Sequence, residues 1–191
     1  MRKILLSLTL FSFAFITVAQ AEDLYTNIFK TKAQTASKSL LGTLKTQLTE
    51  ALSDGDTKKA VIVCSSIAQN IAQNVSKENN LYIKRVSLKN RNPLGSPDNF
   101  EKETLELFDK MKENGKLTPE SDFSDITMEN NKKVFRFMKP IVTAKSCLQC
   151  HGNPEQIKPE VKETLKEKYP NDIAFGYKEG DVRGAVSIKI N

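Results

Sequence analysis

The chain has 191 residues with 29 lysines and arginines against 23 aspartates and glutamates, a formal net charge of +6. That length suits one domain of ordinary size. The lysines are spread beside glutamates along helix faces, which reads as a solvated surface, and no basic cluster interleaved with aromatics points to nucleic acid.

The first 21 residues read as an export signal. Arg2 and Lys3 form a positive start, Ile4 to Val18 is apolar apart from Ser and Thr, and Ala19-Gln20-Ala21 is a small-x-small cleavage site before Glu22-Asp23. The apolar run is shorter than the ~20 residues that span a membrane, so cleavage is favoured over a retained anchor. Cleavage removes Arg2 and Lys3 and takes the net charge from +6 to +4. The expected product is a single periplasmic domain, 22–191, with no stable membrane insertion. A basic surface favours an acidic partner in principle, but the partner's identity stays open.

Leu40, Leu41, Leu44, Leu48 and Leu52 recur at helical spacing and predict a helix over 24–52. Asp54-Gly55-Asp56 breaks it, and Asp56 is a candidate cap for a second helix over 56–77. On that helix Ala60, Cys64, Ile67, Ala68, Ile71 and Val75 share one face. Cys64 therefore points inward, as a small apolar core residue or as a ligand; the inward position disfavours the third possibility, an intermolecular disulfide.

Residues 81–88 read as a strand and 89–98 as a rigid loop held by Pro93 and Pro97. Asp98 or Asn99 caps a helix that ends at Asn114-Gly115. Strands follow at 123–128 and 133–143, then a short helix at 159–169 with proline near its start. The end, 176–190, reads as a hairpin turning near Gly180. Val182, Gly184, Val186, Ile188 and Ile190 lie on one face of its strand, Arg183, Ser187 and Lys189 on the other. The order predicts an α+β fold, an antiparallel sheet backed by helices.

Cys147-Leu148-Gln149-Cys150-His151 carries the chemistry. C-x-x-C-H is the attachment pattern of a c-type haem: two thiols form thioethers and the histidine takes an axial position on iron. A redox dithiol and half a zinc site are the competing readings. Zinc lacks ligands, because the chain has one further cysteine and no second histidine. Covalent attachment after export agrees with the signal sequence. His151 must be the imidazole ligand, since it is the chain's single histidine. The other axial position is open between Cys64, Met111, Met128, Met138 and no protein ligand, because no Met, His or Cys follows His151.

Several stretches together resemble a family. They are the segment ending at Cys64, the run Arg85-Val86-Ser87-Leu88-Lys89-Asn90-Arg91-Asn92-Pro93, the Cys147–Gly152 motif, and Gly176 to Ser187. They resemble an exported bacterial family of c-type haem domains of unknown function with a PAS-like fold. The resemblance implies a five-stranded antiparallel sheet flanked by helices, with N-terminal helices packed on it. It also implies one covalent haem c on Cys147 and Cys150, with His151 and Cys64 as axial ligands.

A thiolate ligand stabilises ferric iron, so a low-potential, low-spin haem is expected. Two roles are open: electron transfer with a redox partner, or redox or gas sensing through a separate signalling partner. An enzyme is disfavoured, because no second histidine exists for distal acid–base work. Arg85 and Arg183 are candidates for pairing haem propionates. Phe123, Phe135, Phe137, Tyr82 and Phe175 are each better read as core than as haem packing.

Overall fold

A computed structural model describes residues 18–53, 55 and 57–191. Most of the expected signal (1–17) and the proposed cap Asp56 lie outside the described residues; 18–21 form the first turn of helix α1, Val18–Ser53. At 1.5 Å per residue this helix is about 54 Å long. Ala33, Ala36 and Leu40 are fully buried, and the two small alanines let the helix lie close to the sheet. Leu41 and Leu44 pack against the same core, while Leu48 and Leu52 pack with Ala51, Ala60 and Val63.

The second helix is divided. α2, Thr57–Ile62, and α3, Ala68–Asn79, are joined by one turn of π-helix, Val63–Ile67. A π turn inserts one residue and rotates the helix beyond it, which is why such turns recur at functional sites. Here it lets Val61 pack with Val161 and Leu165 of α6 (Pro159–Lys168), while Ala72 and Val75 face the sheet. Cys64 lies inside the π turn.

The sheet is antiparallel throughout. β1 (Tyr82–Val86), β2 (Phe123–Glu129), β3 (Lys132–Val142) and β4 (Val182–Ile190) lie in the order β1-β4-β3-β2. The last strand is thus central: Ile188 pairs with Ile83 on one side and Phe137 on the other. β2 and β3 form a hairpin on Asn130-Asn131, with φ 51° and 61°. Positive φ at both turn residues suits the twist of a two-residue hairpin, and asparagine tolerates it. Pro140 fits within β3 because β2 pairing ends at Met138.

Both faces of the sheet are covered. α1 and α3 cover Ile83, Phe135, Phe137, Val186 and Ile188. α4, Asn99–Glu113, covers Val86, Met138 and Ala185 with Leu105 and Phe108. Its start is a capping box: Asp98 accepts from the Glu101 N–H and Glu101 accepts from the Asp98 N–H. Ser187, on the opposite strand face from Val186 and Ile188, is buried and donates to Glu101 at 2.6 Å.

The architecture is the expected α+β one, an antiparallel sheet flanked by helices. Two details differ. The described residues contain four strands rather than five, and 176–190 is not a hairpin. Gly176 and Gly180 adopt φ of 79° and 86° and turn 176–181 aside. That segment bonds to the haem-motif turn instead: Tyr177 N–H to the His151 carbonyl at 3.0 Å and Gly176 N–H to the Gly152 carbonyl at 2.9 Å.

Candidate haem site

β3 delivers the chain to the motif. Thr143 ends the run, its N–H and hydroxyl both donating to the Asp181 carbonyl at 2.8 and 2.9 Å. A 3-10 turn over Lys145–Cys147 leads into the single turn α5, Leu148–His151. Helical winding puts Cys147 and Cys150, three apart, on one side of the turn, with His151 beside them. Gly152 closes it with its N–H on the Leu148 carbonyl. A Cβ there would come within 2.6 Å of that carbonyl, so a side chain would push the turn open.

The His151 ring is oriented. Its Nδ1 lies 2.9 Å from the Ala174 carbonyl. A carbonyl only accepts, so the proton sits on Nδ1 and Nε2 keeps its lone pair for a metal. Burial, with the Arg183 and Arg91 guanidinium groups, holds the imidazole well below its usual pKa and so neutral. Tyr177 meets the ring edge-on, centroids 6.2 Å apart. Arg183 Nε lies 3.2 Å from Nδ1 and 3.5 Å from Nε2. With Nδ1 already protonated, that donor has only Nε2 to act on.

Cys150 packs against the cluster of Val61, three residues before Cys64. Arg85 Nη2 donates to the Cys64 carbonyl at 3.2 Å. Burial pushes the Cys64 thiol up, against the pull of Arg85, Arg91 and Arg183; a charge on Cys147 would push it further. Burial likewise pushes Cys150 up to about 11, against Arg91, with Cys64 and Cys147 adding to the rise. The three sulfurs therefore share one electrostatic neighbourhood, and none is in a disulfide. The methionines are elsewhere. Met138 is fully buried under α4, Met111 packs against the same cluster, and Met128 is 64% exposed on β2.

Arg85 and Arg183 both face the site, not solvent. Arg183 Nη1 donates to Ser87 Oγ at 2.7 Å and to the Lys89 carbonyl at 3.1 Å. Arg91, given no role by the sequence, is the third guanidinium, paired with Asp172 at 2.7 Å. Of the five aromatics considered, Phe135 and Phe137 are core, Phe123 packs with Phe100, and Tyr82 is 54% exposed. Phe175 alone borders the site, 5.3 Å from the Arg91 guanidinium and packed against the same Val61–Leu165 cluster as Cys150 and Tyr169. Tyr169, beside Ser65 of the π turn, and Tyr177 also border the site. Nothing local in the sequence links them to the motif.

A haem is a flat apolar ring with an iron centre and two carboxylates. The residues suit it: two thiols at thioether spacing, an imidazole whose Nε2 keeps its lone pair, a third sulfur, and three guanidinium groups. Among the described residues, no group of three or more His, Cys, Asp or Glu side chains is close enough to hold a bare metal ion.

Fold and site together define an α+β domain in which a C-x-x-C-H turn is seated against the domain's own N-terminal helices. The chain belongs to the Tll0287-like family, whose model matches residues 16–191. Among solved structures it is similar to the crystal structure of the cyanobacterial haem protein Tll0287. The two share 25% identity and a TM-score of 0.59, over 88% of this chain and 94% of that one. No curated protein matches the chain.

Proposed function

We propose that this protein is an exported, periplasmic c-type cytochrome that carries one covalent haem c and acts in electron transfer. Membership of a family whose solved relative is a haem protein supports haem binding. The observation that carries the reading further is that Cys150 packs against the cluster of Val61, three residues before Cys64, with the three cysteines in one electrostatic neighbourhood, while Met111 and Met138 pack under α4. On this reading Cys147 and Cys150 would hold the ring, and His151 Nε2 and Cys64 Sγ would bind its iron.

The haem supplies a one-electron couple. The chain does the rest. Ala174 fixes the imidazole tautomer. Arg85, Arg91 and Arg183 give the site the positive charge that propionates need. Arginines beside Cys64 oppose the burial that keeps its thiol protonated, and so favour the thiolate a metal requires. With the single histidine used as a ligand, no imidazole is left for acid–base catalysis, and no enzymatic role is proposed.

One observation favours sensing as the second reading. Cys64 stands in a π turn between two helices. If the sulfur is released, that turn can revert to α-helix and shift α2 against α3 by one residue. A separate signalling partner would read the shift. Mixing the reduced protein with CO separates the two. Rapid uptake with loss of the thiolate spectrum supports sensing; inertness supports electron transfer.

A further inference from the structure

One ion pair in the site supplies neither a thioether sulfur nor a ligand to iron. The Arg91 and Asp172 side chains are 8% and 5% exposed, with Nε and Oδ2 2.7 Å apart. Arg91 lies in the loop after β1, Asp172 in the loop after α6. Arg91 Nη2 donates to the Cys150 carbonyl at 2.6 Å and lies 3.4 Å from the Ala174 carbonyl. Asp172 Oδ1 accepts the Ala174 N–H at 2.8 Å. Ala174, fully buried, is the residue whose carbonyl takes the His151 Nδ1 proton.

The pair thus reaches His151 by two routes. One is the peptide carbonyl immediately before it. The other is the carbonyl that orients its ring. Burying two charges costs desolvation, and a well-packed apolar pair often serves stability better. Here every other hydrogen bond these two side chains make falls on the His151 turn or on Ala174.

We propose that Arg91, together with Asp172, is a positioning residue for His151, holding the Nδ1–H tautomer and the ring plane that leave Nε2 as donor. The proposal rests on the reading of His151 as an iron ligand. Lysine cannot substitute: one ammonium lacks the planar fork that serves Asp172, Cys150 and Ala174 together.

The chain has one histidine, so ¹⁵N-histidine labelling gives a single imidazole signal. The test uses the haem-loaded full chain, reduced and saturated with CO. In the wild type a ring-current-shifted imidazole with a protected Nδ1–H is expected. In Arg91→Lys, exchange of that proton should rise roughly tenfold relative to the Ile188 amide, the worth of about one buried hydrogen bond. The double variant Arg91→Gln with Asp172→Asn leaves no unpaired buried charge, and it gives the same answer if Arg91→Lys does not fold. A ratio unchanged in the variant that folds, with the shifted imidazole retained, overturns the positioning role. A merely structural role gives that result, since both protons would then exchange faster together. A wild type without a shifted imidazole overturns the ligand reading itself.

Discussion

Two charged centres sit at opposite ends of the sheet, and they are built differently. Under α4, Arg136 is almost fully buried and lies 2.8 Å from Asp98, 2.7 Å from Glu129 and 3.6 Å from Glu101. Lys189 pairs with Glu129 and Asp98, and Lys84 with Glu101. Three cations answer three carboxylates. At the motif end, Arg85, Arg91 and Arg183 gather around the cysteines, and the ion pair among them is Arg91–Asp172. Arg85 and Arg183 rest on neutral acceptors: carbonyls, the Ser87 hydroxyl and the His151 ring. A balanced, partly buried network ties a helix to a sheet. A centre with surplus positive charge is made to receive anionic groups, which the two propionates of a haem would be.

The comparison is most sharply broken by removing the sulfurs. In Cys147→Ser with Cys150→Ser, haem staining on a denaturing gel should fall to background and any bound haem should extract into acid acetone, while Glu101 variants keep their stain. Covalent stain in the double serine variant would place the attachment elsewhere. Glu101→Ala tests the balanced end. It leaves Lys84 and buried Arg136 short of a partner and removes half of the capping box. Breaking a buried pair of this kind costs about 3–5 kcal/mol, measurable by urea unfolding, and the optical spectrum of the folded fraction should not change.

Gly184→Ala probes the seam between the two centres. A Cβ at Gly184 would lie 2.2 Å from the Val86 carbonyl, so β1 and β4 must part. Overpacking of this sort costs about 1–3 kcal/mol, and Arg183, the preceding residue, should lose its hold on Ser87. Thermal unfolding and haem content per chain report the two effects.

The smallest effect is acid sensitivity of the balanced end. Burial would raise the Asp98 carboxyl, but the Glu101 N–H and Arg136 outweigh it and hold it below the usual carboxylate range. The Lys189 hydrogen bond, with Arg136, holds Glu129 low as well. Groups with a depressed folded pKa stabilise above their unfolded value, about 4, and lose that contribution as pH falls through the folded value. The urea midpoint should therefore drop from roughly pH 5 to pH 3. Asp98→Asn with Glu129→Gln should flatten the slope, by under about 1 kcal/mol because both groups are partly exposed. An unaltered slope would remove them as its source.

The sequence carries the features that depend on near neighbours. Alternation along 182–190 matches β4, the Asp98 cap lies three residues from its partner, and the motif names Cys147, Cys150 and His151. Cys64 is legible as inward-facing from helical spacing, but the π turn that contains it is not, since one inserted residue leaves an apolar stripe nearly intact. The Asn130-Asn131 hairpin escapes notice, and the hairpin expected at 176–190 is absent, for the same reason. Glycine and asparagine announce a turn without saying which segments it brings together. The Arg91–Asp172 pair is beyond reach, because its partners meet only when two loops close over Ala174.

The central claim is that the haem turn reaches back to Cys64. Optical spectra and a redox titration of wild type and Cys64→Ala test it most directly. The account predicts a low-spin ferric thiolate spectrum in the wild type. In the variant that spectrum should be lost and the reduction potential should rise, with covalent haem retained on Cys147 and Cys150. Superimposable spectra and equal potentials would take Cys64 off the iron and contradict the account.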